Sequence, residues 1–275
     1  MFNFTKMHSF GNDFVIIVGD DGLTGLTPAR AKSIANRNSG IGCDQILLVI
    51  PICTEKNVFK FRIYNTDGSQ AAQCGNGARC VARFLYDRGL ANDEDIILRT
   101  HADDIRCKIN DESTVTVSLG VPNFVPSEIP FVADTIADTY ELEVKGTLQT
   151  ASVLSIGNPH AVIVVSDVES APVSELGGPI EFHPRFPQRT NVGFMEVESS
   201  DSIRLRVHER GVGETRACGS GACAAVIAGQ RLGLLDESVT VNVEAGQLFV
   251  EWHGEGEPVL LTGPTTYVFE GRLLD

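Results

Sequence analysis

The sequence predicts a mixed α/β (α+β) fold built from two pseudo-symmetric halves, each with many strands and one helix rich in small residues. Three observations carry this. The segment Cys74-Gly75-Asn76-Gly77-Ala78 returns as Cys218-Gly219-Ser220-Gly221-Ala222, an offset of 144 residues in a chain of 275. At that offset Arg62 falls on Arg206, Ile63 on Val207, Gly89 on Gly233 and Leu90 on Leu234. Gly11-Asn12-Asp13-Phe14 returns as Gly157-Asn158-Pro159-His160 at an offset of 146, each followed by an apolar run. Two motifs in the same order at nearly one offset indicate homologous halves.

In the first half, residues 3–8, 14–18, 46–50 and 58–64 are rich in β-branched and aromatic side chains and read as strands. Residues 28–37 read as a helix, with Thr27 as N-cap and Pro28 at its first position. Residues 75–87 read as a second helix: Ala78, Val81, Ala82 and Leu85 share a face, and Gly89 ends it. Further strands are predicted at 95–100, 105–109 and 115–119. Pro122, Pro126 and Pro130 break the pattern, so 120–130 reads as a linker. The second half repeats the order: strands at 152–156, 161–165, 191–197 and 203–209, a helix at 219–232, and strands at 239–243, 247–252 and 259–261. Ala and Gly permit close approach, so a tightly curved sheet can enclose such a helix.

Thirty-six acidic residues oppose 22 Lys and Arg, giving a net charge of −14. That balance argues against a nucleic-acid partner or an anionic membrane surface, and not against a small ligand. The longest apolar run, Ile46 to Ile52, is far short of the ~20 residues that span a bilayer. No signal peptide is visible, so a cytoplasmic location is expected. The seven cysteines, at 43, 53, 74, 80, 107, 218 and 223, fit neither a disulfide framework nor a zinc site. Cys43, Cys53, Cys80, Cys107 and Cys223 read as small buried side chains.

Cys74 and Cys218 differ, because each stands immediately before a predicted helix. A helix start carries unpaired N–H groups and partial positive charge, which bind carboxylates and favour a thiolate. In a pseudo-twofold arrangement both helix starts would offer donors to one small carboxylate, with a thiol on either side. That suits proton removal from the α-carbon of an amino acid. One thiolate takes the proton from one face and the opposite thiol returns one to the other, inverting the centre without pyridoxal phosphate. Gly219 to Ala224 formally fits a dinucleotide-binding GxGxxA pattern, but a polar loop and not an apolar strand leads into it.

At this point the chain resembles the diaminopimelate epimerase family over essentially its whole length. The motifs are K-M-H-x-x-G-N-D-F at Lys6–Phe14, G-x-D-Q at Gly42–Gln45, N-x-D-G-S at Asn65–Ser69 and Q-C-G-N-G-A-R-C at Gln73–Cys80. They continue with G-N-P-H at Gly157–His160, R-x-N-x-G-F at Arg189–Phe194 and E-R-G-x-G-E-T-x-A-C-G-S-G-A at Glu209–Ala222. The resemblance implies a pyridoxal-phosphate-independent isomerase of lysine and peptidoglycan-precursor biosynthesis, needing no cofactor and no metal. It implies halves that are curved, mostly antiparallel sheets around a central helix, spanning 1–119 with 264–275, and 120–263. Cys74 and Cys218 would be the acid/base pair. Gly75, Asn76, Gly219 and Ser220 would hold the reacting carboxylate. Asn12, Gln45, Asn65, Asn158, Asn191, Glu209 and Arg210 would bind the remainder of the substrate, and His160 and Glu209 would tune the thiols. The C-terminal tail would join a homodimer, with Phe269 where the family usually has Tyr. Cys43 stands where Phe is common, and Ser9-Phe10 where smaller residues are.

Three other readings remain. A proline or hydroxyproline racemase would use the same two-cysteine chemistry, but a cyclic amino acid needs no Glu209-Arg210 pair. A cysteine hydrolase or acyl transferase would use one thiolate with a His partner. An amino-acid binding protein would show no α-proton exchange.

Overall fold

The computed structural model describes residues 2–19, 26–71, 74–92, 95–101 and 103–274, apart from the side chain of Phe2. The chain divides into two compact units, Met1–Ser118 with Thr262–Asp275, and Leu119–Leu261.

In the first unit β1 (Phe2–Ser9) turns through Phe10-Gly11 into β2 (Asn12–Val18). Both turn residues have positive φ, 53° and 82°, as a two-residue type I′ hairpin requires. α1 (Pro28–Ala35) crosses to β3 (Gln45–Cys53), which lies parallel to β2 with Phe14 opposite Gln45. β4 (Val58–Asn65) returns antiparallel and is followed by the short β5 (Gln70–Ala71). α2 (Gly75–Asp87) leads to β6 (Ile96–Arg99), parallel to β4, and β7 (Asp104–Ile109) and β8 (Thr114–Ser118) continue antiparallel. β4 shows the two-residue period: Phe59, Phe61 and Ile63 are buried, while Lys60 and Arg62 are part-exposed. α2 packs against β1, β2, β3, β7 and β8, and buries Ala78, Val81, Ala82 and Leu85.

The second unit opens on β9 (Tyr140–Val144), β10 (Thr147–Ser155) and β11 (Pro159–Val164), followed by α3 (Val173–Glu181). β12 (Asn191–Ser199), β13 (Ser202–Glu209), β14 (Gly213–Thr215), α4 (Gly219–Arg231), β15 (Ser238–Val243) and β16 (Gly246–Glu251) complete it. The pairing repeats that of the first unit. β11 is parallel to β12 with His160 opposite Asn191, β12 is antiparallel to β13, and β13 is parallel to β15. Even the irregularities match: β3 bulges between Pro51 and Cys53, β12 between Val197 and Ser199. Every residue from Gly221 to Gly229 is buried, and α4 touches β10, β11, β12, β13, β15 and β16. A helix apolar on all sides belongs inside a curved sheet. At Gly229 a Cβ would stand 2.3 Å from Leu235 Cδ1, so the close approach requires glycine. β17 (Leu260–Pro264) spans the boundary between the units. β18 (Thr266–Leu273) pairs antiparallel with β1, as β9 does with β10.

The fold is thus mixed and sheet-dominated, and several details differ from the sequence reading. α1 ends at Ala35, two residues early, because Asn36 turns extended and its Oδ1 accepts from the N–H groups of Asn38 and Ser39. α4 ends at Arg231, with Leu232 as C-cap. Residues 120–130 form no helix and no named strand, yet they are packed: Asn123 bridges to Ser155, and Ile129 is fully buried. Cys53 is part-exposed at the bulged end of β3, not buried. α3 and β9 escaped the reading altogether. Among the described residues no helix is long and apolar enough to cross a membrane.

Candidate active site

Each unit gathers its motif residues at one end of its sheet, and the topology dictates this. Asn12 begins β2, Gln45 begins the parallel β3, Asn65 ends the antiparallel β4, and Cys74 caps α2. In the second unit Asn158 and His160 flank the start of β11, Asn191 begins β12, Glu209 ends β13, and Cys218 caps α4. Gln73, which opens the first cysteine motif, lies outside the described residues.

The two caps are alike. Cys74 Sγ accepts from Gly77 N–H at 3.2 Å, and Cys218 Sγ accepts from Gly221 N–H at 3.4 Å. Each sulfur takes the N-cap role that Ser or Asp usually fills. The surroundings differ. Cys218 is buried, and burial together with the neighbouring Glu209 carboxylate pushes its thiol well above the usual cysteine range. A hydrogen bond to Glu209 favours the protonated form, while Ser220 Oγ, 3.6 Å from the sulfur, acts the other way. At Cys218 burial and a like charge thus act against the helix field and favour the protonated thiol. Cys74 is part-exposed.

Around Cys74 two groups form. Gln45 Nε2 donates to Asn65 Oδ1 at 3.0 Å, and Asn65 Nδ2 donates to Ser69 Oγ at 3.0 Å. Gln45 Oε1 is buried without a hydrogen-bond partner among the described residues, an acceptor that suits a cationic ligand group. Asn76 Nδ2 donates to Asn12 Oδ1 at 3.2 Å, and Asn12 Nδ2 donates to Asp44 Oδ2 at 3.0 Å. Arg37 grips Asp13 through two bonds, at 3.0 and 2.8 Å, and reaches Asp44 at 2.8 Å. Lys6 pairs with Asp13 at 2.7 Å and also binds the Gly42 carbonyl. Burial raises the Asp13 carboxyl, but Arg37 and Lys6 outweigh it and hold it well below the carboxylate range. Cys43 lies beneath this cluster, pushed by burial up to about 12.

Around Cys218, Asn158 Nδ2 donates to Ser220 Oγ at 3.4 Å, and Asn158 Oδ1 lies 3.1 Å from His160 Nε2. Burial, with Arg210 nearby, lowers His160 to about 3, so its ring is neutral at ordinary pH. Asn191 Nδ2 donates to the Pro159 carbonyl at 3.0 Å, and its Oδ1 accepts from Arg210 N–H at 2.9 Å. Glu209 Oε1 accepts from Thr215 Oγ1 at 2.5 Å. The sequence reading gave no role to Glu181, although this buried carboxylate holds the Glu209-Arg210 turn from α3. It accepts from Gly211 N–H at 2.9 Å and lies 2.9 Å from His208 Nε2. Lys6, Asp13, Arg37, Asp44 and Arg79 were likewise given no role. All but Arg37 lie inside or beside the quoted motifs, as charged positions that turn chemistry alone does not require. Phe269 lies outside both clusters, half-exposed on β18 and packed edge-on against Phe4 at 5.9 Å.

The profile of the family described as diaminopimelate epimerase matches residues 4–125 and 152–268. The chain is 50% identical to the diaminopimelate epimerase of an Azoarcus species over 270 residues, 98% of each chain. It is 47% identical to that of Pseudomonas entomophila over 273 residues, 99% of each. Among solved structures it resembles a probable proline racemase from Agrobacterium radiobacter, with a TM-score of 0.69 and 16% identity, covering 100% of this chain and 93% of that one. It also resembles a predicted epimerase from Pseudomonas aeruginosa, TM-score 0.69 and 15% identity, covering 100% of both. These two likenesses show a shared fold, and the nearer relatives show more: the chain belongs to the diaminopimelate epimerase family.

Proposed function

We propose that this protein is an isomerase that interconverts LL- and meso-diaminopimelate by two-base α-proton transfer, in lysine and peptidoglycan-precursor biosynthesis. The observation that carries the reading is the duplicated, thiol-capped helix start at Cys74 and Cys218, in a chain of this family. The backbone N–H groups of Gly75, Asn76, Gly219 and Ser220 hold the carboxylate at the reacting centre. Negative charge builds on that carboxylate as the α-proton leaves, and donors fixed in advance stabilise it where it develops. One of Cys74 and Cys218 takes the α-proton as the base while the other, as the acid, returns one to the opposite face. In the reverse direction the roles exchange. Glu209 and His160 set the protonation and polarity around the thiols. Gln45, Asn65 and Asn191 supply acceptors and donors for the distal amino-acid centre, and Arg210 and Glu209 supply charge. Pyridoxal phosphate has no part in these steps.

Two further properties belong to this reading. The protein works in the cytoplasm, consistent with a small polar substrate. It pairs as a homodimer through the C-terminal strand, where Tyr267, Val268 and Phe269 are exposed. The test is direct: purified, reduced protein with LL-diaminopimelate and no added cofactor, read by chiral chromatography, with L-proline in parallel. The meso isomer forms if the reading holds. Racemisation of proline alone, or no reaction from a folded sample, overturns it.

A further inference from the structure

We propose that Arg79 is a positioning residue: its guanidinium fixes which way the Asn76 and Asn12 amides face, so that both offer N–H groups to a carboxylate at the start of α2. Arg79 lies in α2 with its residue fully buried. Its Nη2 donates to Ser9 Oγ at 2.8 Å and to Asn76 Oδ1 at 2.6 Å. A guanidinium carries only donors, so the Asn76 atom facing it has to be oxygen. The other end of that amide is then Nδ2, which donates to Asn12 Oδ1 at 3.2 Å. Asn12 in turn is left to donate from Nδ2 to Asp44 Oδ2 at 3.0 Å, and a carboxylate only accepts. The chain thus runs from a group that can only donate to one that can only accept. Neither amide can rotate by half a turn without losing two bonds. Each Nδ2 carries two hydrogens and the chain uses one, which leaves one on each amide for a ligand.

The repeat supplies an internal control. The residue that corresponds to Arg79 in α4 is Cys223, neutral and buried. There the counterpart of Asn12 is Asn158, whose Oδ1 faces His160 and whose Nδ2 donates to Ser220. There the amide is turned the other way: Asn158 presents Nδ2 to Ser220, the counterpart of Asn76, whereas Asn12 presents Oδ1 to Asn76, and no cation stands in the helix. A buried guanidinium is therefore not a requirement of this helix-in-sheet packing, and its placement is explained by the amides it orients.

The proposal rests on the reading that Asn12 and Asn76 meet the substrate, and a double-mutant cycle tests the two separately. R79M, N12A and the double variant are prepared as full-length protein, with R79K alongside. Each single variant is expected to lower kcat/KM on the order of tenfold, as loss of one charge-assisted hydrogen bond does. The double variant is expected to lose no more than the larger single, because both residues act through one chain. R79K keeps a donor and is expected to recover part of the loss, with its thermal midpoint reporting on folding. Should R79M fail to fold, R79K with N12A completes the cycle. Independent, multiplying losses overturn the positioning role. Unchanged kcat/KM in N12A overturns the underlying substrate reading instead.

Discussion

Alanine at Gly77 and at Gly221 separates the alignment of a thiol from the stability of its helix. Each glycine is the third residue of a capped helix and donates its N–H to the capping sulfur. A Cβ at Gly77 would stand 3.1 and 3.2 Å from the two Leu47 methyl carbons and 3.2 Å from Cys74 Sγ, so a neighbour must give by a few tenths of an ångström. Leu47 is fully buried and Cys74 is not, so the sulfur yields. Misplacing a reacting atom by ~1 Å costs about a hundredfold, so G77A is expected to lose roughly four- to tenfold in kcat. Its stability should barely move, because the contact is offset by ~1 kcal/mol of helix propensity. At Gly221 the Cβ would meet Val207 Cγ2 at 2.9 Å, and Val207 is locked in β13. Overpacking of that kind costs ~1–3 kcal/mol, so G221A should lose about 1–2 kcal/mol net and ~2–8 °C in Tm. G193A, whose Cβ would meet Leu205 Cδ1 at 3.5 Å and Val162 Cγ2 at 3.9 Å, both ordinary contacts, serves as the mild control. Initial rates of LL-diaminopimelate conversion and calorimetric melting read both effects. Wild-type rate in G77A together with wild-type Tm in G221A would refute the packing argument.

C74A and C218A should each lower the isomerisation rate by about 10²–10⁴, the scale of a lost general acid or base, and a residual rate near wild type in either would contradict the pairing. E209Q removes the carboxylate that raises Cys218, so at fixed pH more of that thiol is ionised and its alkylation by iodoacetamide, mapped by peptide mass spectrometry, should accelerate. Asp13 titrates below its ordinary 3.8, so its contribution is complete above that value and fades as pH falls through the folded one. D13N should therefore cost ~1.5–3 kcal/mol at pH 7, with the gap to wild type closing in acid; a pH-independent gap would sink the ion-pair account. F10N places a residue tolerant of left-handed backbone at the turn where Phe10 has φ 53°, and should raise stability by up to ~1 kcal/mol in a chemical melt.

Much of this was legible in the sequence because a repeat doubles every local signal. α2 was read to its terminal residues from the small apolar face, Gly75 and Gly89. The parallel neighbour of β2 follows from the strand–helix–strand order around α1. α3 was missed because Gly177-Gly178-Pro179 looks like a breaker. Gly177 is there for another reason: a Cβ would stand 2.5 Å from His208 Cγ. Carrying α1 forward by the repeat offset would have found it. β9 was hidden because its counterpart in the first unit is β18, contributed by the far end of the chain. At the site, side chains that touch a ligand stand in turn motifs and could be read. Lys6 and Arg79 stand inside the quoted motifs, but they, like Arg37 and Glu181, act through other side chains, across 20 residues or more in several cases, so their partners are not visible in sequence. At Cys218 the helix start is visible in sequence, while the burial beside Glu209 that pushes the thiol up is not.

The central claim is that two different groups move the proton. The measurement that tests it most directly follows LL-diaminopimelate in deuterium oxide by proton NMR and mass spectrometry at early times, with reduced protein and no cofactor. The account predicts deuterium at the α-carbon of the newly formed meso product, delivered by the second thiol, while unreacted LL substrate stays essentially unlabelled. Equal labelling of substrate and product from the first turnovers would mean that one group removes and returns the proton, and would contradict the two-thiol account.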